Sequence, residues 1–111
     1  MRKSIIAFMG AVAVAPLTAH ATLSFRTAVI EVMQVESHER VGREDVIWLK
    51  ITGSWSGVTC NADWGWFNSK TSPQLLATSL TARATGASLQ VYVDDGAPKL
   101  EGYCQITVLT L

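Results

Sequence analysis

The chain has 111 residues, with nine basic and nine acidic side chains and a hydrophobic fraction of 49%. Its basic residues are scattered among acidic ones, so the sequence lacks the concentrated basic stripe of a nucleic-acid binder. After residue 21, no apolar stretch approaches the length of about 18 residues that a membrane-spanning helix requires. We therefore expect no nucleic-acid partner and no membrane span.

The amino terminus has the three parts of a secretory signal peptide. A basic start at residues 2–3 precedes an apolar run at residues 5–15, and the small-residue pattern of a cleavage site follows at residues 19–21. We predict a signal peptide at residues 1–21 and a single mature domain at residues 22–111. The protein is expected to be periplasmic or secreted, in a Gram-negative bacterium. Because cytosolic cofactors are absent outside the cell membrane, no cofactor is expected.

The first half of the mature chain reads as strands. Residues 26–35 are dense in β-branched residues and are followed by a polar loop, and residues 46–52 form a second strand that Gly53 ends. This pair is most simply an antiparallel hairpin. A third strand is predicted at residues 63–68, where two tryptophans lie two positions apart and so face the same side of a sheet.

One helix is predicted at residues 73–85. Ser72 is expected to cap its first turn with a hydroxyl, Pro73 suits the first helical position, and Gly86 is a left-handed stop. The apolar residues at helical spacing form a predicted buried stripe of Leu75, Leu76, Leu80 and Ala84, with Ser79 and Ala87 near it. Strands at 88–93 and 103–111 complete the order β-β-β-α-β-β, an α+β fold that is mainly β.

Cys60 and Cys104 are the only cysteines of the chain. In an oxidising compartment, an even pair in a small domain is most simply a disulfide. Closing a loop of about 44 residues would stabilise the fold by about 4 kcal/mol in the chain-entropy model. A redox pair would require a CxxC spacing, and a zinc site would require more ligands, so a structural disulfide is the favoured interpretation.

Catalytic motifs are scarce in the mature chain. His38 is its single histidine and lies between Glu36 and Glu39 in the polar loop, which is typical of a solvated side chain. The serines show no nucleophile elbow and no paired base. We therefore expect a protein that is not an enzyme, with no catalytic, cofactor-binding or metal-binding residues.

The four tryptophans are the strongest indication of a binding role. Aromatic faces stack on sugar rings, and the indole N–H can bond hydroxyls, so these residues favour glycan binding. Trp48 lies among apolar strand residues and is expected in the core, and one of Trp64 and Trp66 is expected to pack on the helix. Trp55 lies in a Gly/Ser-rich bend, is the least explained by packing, and is our candidate ligand contact.

The carboxyl-terminal half also resembles a known group of proteins. The stretch from Leu75 to Gly96, with Cys60 before Trp66-Phe67 and Cys104 after the Val-Tyr-Val-Asp strand, resembles the B subunits of subtilase cytotoxin and pertussis-like toxins. It resembles still more closely small, uncharacterised exported bacterial proteins with one disulfide. The resemblance covers roughly residues 58–108.

That resemblance implies an OB-fold-like, five-stranded barrel capped by the helix. In the toxin members it implies a ring-forming subunit that binds sialoglycans through a serine early in the first strand. The corresponding region here reads Ser24-Phe25-Arg26-Thr27, without a clear match to that serine. Ser24 and Thr27, which lie in this region, are candidate ligand contacts, and a homo-oligomer is one expected state.

Two functions follow as expectations. The first is an exported, non-enzymatic binding domain that contacts a glycan or protein partner through a sheet face and the loops near Trp55 and His38. The alternative is a periplasmic structural or inhibitor protein that binds a protein partner through its edge strands.

Overall fold

The computed structural model describes residues 23–111, and the predicted signal peptide lies outside them. The fold of these residues is mainly β with one helix, as predicted. Its elements are β1 (Leu23–Ala28), β2 (Ile30–Val35), β3 (Val46–Ile51), β4 (Trp64–Asn68), α1 (Pro73–Thr85), β5 (Leu89–Asp94) and β6 (Cys104–Thr110).

The described residues form six strands, so the prediction of five strands is wrong. The segment predicted as one strand at 26–35 is divided into β1 and β2 at Val29. The Val29 N–H donates to the Thr52 hydroxyl over 3.1 Å, and the Val29 carbonyl accepts from the Thr52 N–H over 3.1 Å. Val29 therefore leaves the ladder at the point where the chain changes partners, because β1 pairs with β5 and β2 pairs with β3.

The six strands form one mixed sheet in the order β1-β5-β6-β4-β3-β2. The predicted hairpin of β2 and β3 is confirmed as an antiparallel pair, and β4 and β6 form the parallel pair of the sheet. Although one residue separates them in the chain, β1 and β2 stand at opposite ends of the strand order. Val29 thus links the two ends of the sheet covalently.

Helix α1 has the bounds that the sequence predicts, but its buried face is different. Leu75, Ser79 and Ala82 are buried, whereas Leu80 is 51% exposed. The three buried residues are four and three positions apart and so lie on one helical face. The small Ser79 and Ala82 side chains bring the helix close to the sheet, and the Ser79 hydroxyl donates to the Leu76 carbonyl over 2.9 Å.

The helix ends confirm two sequence predictions and correct a third. Gly86 adopts the left-handed conformation at φ 69°, and its N–H donates to the Ala82 carbonyl. Pro73 occupies the first turn as expected. Ser72 makes no side-chain capping bond; its backbone carbonyl instead accepts from the amides of the first turn.

The disulfide between Cys60 and Cys104 is present, with a Cα–Cα distance of 5.4 Å. Cys104 is fully buried in the main core, which fills the space between the sheet and α1. Gly65 lies opposite Cys104 in the parallel register, and a Cβ there would lie 2.7 Å from the Ile106 side chain. Close approach of Ile106 therefore requires a glycine at this position of β4.

Helix α1, the single helix of residues 23–111, lacks the length and apolar character needed to span a membrane.

Candidate functional site

Strand alternation sorts β3 and β4 into two apolar clusters. Ile47, Leu49 and Phe67 face the main core with the helix, while Trp48 and Trp66 belong to a separate cluster. We call this second group the aromatic cluster; it consists of Val46, Trp48, Trp64, Trp66, Leu100 and Tyr103. The predicted packing of Trp64 or Trp66 on the helix is therefore wrong: Phe67 lies in the cluster that contains the helix residues.

The aromatic cluster forms part of a surface pocket of about 370 Å³. That volume lies at the low end of the range of about 300–1,000 Å³ for small-molecule sites. Three strands and two loops contribute its lining residues, which are Gln34, Glu36, Arg40, Arg43, Trp48, Trp64, Glu101 and Tyr103. The sheet thus supplies aromatic surface, and the loops at 36–45 and 95–103 supply the charged side chains.

The loop that connects β2 to β3 is held against Trp48. The Trp48 N–H donates to one oxygen of Glu36 over 3.0 Å, and Arg40 donates to the other oxygen over 2.9 Å. The guanidinium carbon of Arg43 lies 5.7 Å from the Trp48 ring centroid, within the range of a cation–π contact. Tyr103 meets the same indole edge to face, with 5.6 Å between centroids.

A tight turn places Glu101 at the pocket. Glu101 and Gly102 have φ values of 54° and 83°, and the backbone groups of Leu100 and Tyr103 bond each other across them. Two successive residues of positive φ characterise a type I′ hairpin turn. Asn61 then fastens the turn, because its side chain donates to the Glu101 carbonyl over 2.9 Å.

The Arg43 guanidinium hydrogen-bonds Glu101 and joins the two loops. This hydrogen bond, together with the positive charge of Arg43, lowers the pKa of the Glu101 carboxyl from its ordinary value. The Arg43 side chain is only 19% exposed, whereas Glu101 is 61% exposed. The pair therefore has one half-buried partner and one partner at the rim.

Trp55 is placed differently from the sequence expectation. It belongs to the main core with 9% of its surface exposed, and its N–H donates to the Trp64 carbonyl over 3.2 Å. The inference that packing explains Trp55 least is therefore wrong, because the Gly/Ser-rich bend turns the indole inward. Contact between Trp55 and a ligand stays a prediction.

The other predicted contact residues do not line the pocket. Ser24 donates to the Ser56 carbonyl over 2.8 Å, which brings it to the bend that carries Trp55. Thr27 is exposed on β1. His38 is exposed on the loop that supplies three pocket residues, and its ring Nδ1 lies 3.1 Å from an Asp45 carboxylate oxygen. Ligand contact by these three side chains stays a prediction.

The pocket residues were accessible to sequence reasoning only in part. Trp48 is buried, as its apolar neighbours predict, but alternation along β3 places it in the aromatic cluster, on the same side of the strand as Lys50. That lysine was the available signal for an outward face. Glu101 and Tyr103 come from a distant segment, and no local pattern associates them with Trp48.

Within the described part of the chain, no three His, Cys, Asp or Glu side chains are grouped so that they could hold a metal ion. Comparison with protein-family models, with curated proteins and with solved structures gave no match to this chain.

Proposed function

We propose that this chain is a non-enzymatic, glycan-binding domain of the OB type. The observation that carries the proposal is the pocket on β3 and β4, where aromatic side chains lie beside groups that can bond hydroxyls. Aromatic surface with a few convergent polar groups is the usual composition of a small-molecule site. None of the lining residues, all within the described chain, is a serine, cysteine or histidine, and both lining carboxylates, Glu36 and Glu101, are paired with arginines, which favours binding over covalent catalysis.

The topology supports the OB assignment. If β1 and β2 are counted as one strand bent at Val29, five strands remain. The two segments of this bent strand then form the two edges of the sheet. The helix then lies between the third and fourth strands. OB domains bind oligosaccharides and oligonucleotides on the face of their second and third strands and on the loops after the first and fourth. In this chain those parts are β3, β4 and the loops at 36–45 and 95–103, which line the pocket.

A glycan array followed by tryptophan-fluorescence titration tests the proposal. We expect wild-type protein to bind a glycan and Trp64→Ala to bind it at least tenfold more weakly, because a sugar would lose its contact with this partly exposed aromatic ring. Phe25→Ala is the matched control, since it removes an exposed aromatic residue from β1, outside the pocket. Flat responses across the array would refute glycan binding, and turnover of an ester, glycoside or peptide library would refute the non-enzymatic assignment.

We also propose that the chain is exported to the periplasm or beyond. The disulfide supports this location, because such bonds persist in oxidising compartments. Mass spectrometry of the natural product should find a chain that begins near residue 22 and contains no free thiol. An intact amino terminus or two reduced cysteines would contradict export.

A second candidate function is binding to a protein. Phe25, Tyr92 and Val108 lie in cross-strand register on β1, β5 and β6, and Phe25 stacks on Tyr92 with 5.0 Å between centroids. Phe25 and Val108 are 55% and 44% exposed, and exposed apolar strips often mark contact surfaces. A periplasmic partner or a second copy could cover the strip. Light scattering and periplasmic pull-down in excess sugar should then show an assembly that Phe25→Ser abolishes and Trp64→Ala preserves.

A further inference from the structure

The charged groups of the pocket are already paired with each other. Arg40 bonds Glu36, and Arg43 bonds Glu101, so the four side chains have no net formal charge. Glu36 is only 8% exposed at its side chain, and both of its oxygens accept bonds, one from Arg40 and one from the Trp48 N–H. Separating such a pair leaves a partly desolvated charge without its partner, which is costly.

The uncharged polar groups of the pocket are in the opposite situation. Three of the four indoles donate within the protein: Trp48 to Glu36, Trp55 to the Trp64 carbonyl, and Trp66 to the Tyr103 carbonyl. The Trp64 N–H, the Tyr103 hydroxyl and the Gln34 amide have no hydrogen-bond partner among residues 23–111, and all three residues line the pocket. The unused hydrogen-bonding capacity of these three side chains is neutral and includes both donors and acceptors.

We infer that the pocket binds an uncharged sugar ring and discriminates against acidic and amino sugars. The inference rests on the proposed glycan binding and specifies its ligand class. A neutral sugar presents hydroxyls that can donate and accept, which matches Gln34, Trp64 and Tyr103. A carboxylate or ammonium group would find each pocket charge already paired and would have to compete with the existing partner in the Arg43–Glu101 or Arg40–Glu36 pair to gain a counter-ion.

Titration of the protein with matched methyl glycosides tests the selectivity for uncharged sugars. The probes are the methyl glycosides of glucose, galactose and mannose, each compared with its uronic acid and its 2-amino derivative, which change one substituent. We expect a neutral glycoside to bind at least tenfold more tightly than its charged counterparts. Equal or tighter binding of a charged member would overturn this inference and leave glycan binding in place. Failure of every sugar, both here and on the array, would overturn the proposed function as well.

Two substitutions test the residues behind this selectivity. Tyr103→Phe removes one unpaired hydroxyl and should weaken binding of the neutral sugar several-fold, whereas Tyr92→Phe makes the same change outside the pocket and should leave binding unchanged. Glu101→Gln keeps the size of the side chain but leaves Arg43 without a countercharge. It should therefore reduce the discrimination against uronic acids specifically, with little change in discrimination against amino sugars. Unaltered selectivity in Glu101→Gln would contradict the role assigned to the ion pairs.

Discussion

The four tryptophans differ in whether, and to which atom, the indole N–H donates a hydrogen bond. Trp48 reaches a carboxylate, and Trp55 and Trp66 reach backbone carbonyls. Buried indoles usually require such a partner, and these three are the buried ones. Trp64 is more exposed and its indole N–H has no hydrogen-bond partner among residues 23–111, so it is the indole best suited to an external ligand.

The pairing of Glu101 with Arg43 predicts a dependence of stability on acid pH. The pKa of Glu101 is lowered in the folded protein, chiefly by the hydrogen bond from Arg43. The pair therefore stabilises the fold above the unfolded-state pKa of about 4.5, and this contribution is lost as pH falls through the lowered folded-state pKa. We expect urea midpoints of wild type to exceed those of Glu101→Gln at pH 6, and the gap to shrink by pH 3.

Because Glu101 is largely exposed, solvent screening makes this contribution small. Glu39→Gln is a control, since Glu39 is exposed on the other loop and its carboxylate makes no ion pair among residues 23–111. A gap between wild type and Glu101→Gln that is the same at both pH values would show that the carboxylate does not gain from Arg43.

At the scale of the element, packing rather than periodicity selects the buried face of α1. The leucines at 75, 76 and 80 suggest one stripe, yet the helix turns the face with Ser79 and Ala82 to the core. Small residues permit a closer approach between helix and sheet, which buries more of the neighbouring large side chains. Ser79 is tolerated there because its hydroxyl donates a hydrogen bond to the Leu76 carbonyl.

Leu75 and Leu80 should therefore differ in their contribution to the free energy of unfolding. Leu75→Ala removes a buried side chain and should lower the free energy of unfolding by about 2–4 kcal/mol. Leu80→Ala removes a half-exposed side chain and should change it by about 0.5 kcal/mol or less. Urea denaturation of both variants measures this difference. Equal losses would mean that the helix buries the face that the leucine spacing suggests.

At the scale of the whole molecule, the disulfide contributes both to the stability of the fold and to the position of the pocket residues. Cys104 directly follows Tyr103, and Cys60 precedes Asn61, which holds the turn that carries Glu101. The bond therefore ties the segment before β4 to the wall of the pocket. Among the described residues, this is the only covalent link that crosses between distant parts of the chain.

Removing this bond should destabilise the protein and weaken ligand binding together. The double variant Cys60→Ala/Cys104→Ala should lose about 4 kcal/mol of unfolding free energy in the chain-entropy model. It should also bind the glycan more weakly under conditions where it remains folded, because Tyr103 and Glu101 lose their anchor. Denaturation and fluorescence titration check the two effects, with wild type in reductant as the control. A variant as stable as wild type would contradict a structural role for the bond.

Sequence reasoning was accurate for features that depend on neighbouring residues. The helix bounds at 73–85, the left-handed stop at Gly86 and the hairpin of β2 and β3 follow from spacing, proline and glycine chemistry, which act over a few residues. The disulfide was also predictable, because two cysteines in an oxidising compartment have one possible intramolecular pairing.

The tertiary structure decided which distant segments meet. Division of the first strand at Val29, the parallel pairing of β4 with β6 and the packing of Trp55 into the main core each depend on segments far away in the chain. The pocket is the clearest case, since its aromatic surface and its paired charges come from separate strands and loops. Strand propensity and alternation specify which residues share a face, but hydrogen bonding and packing across the whole domain determine which strands become neighbours.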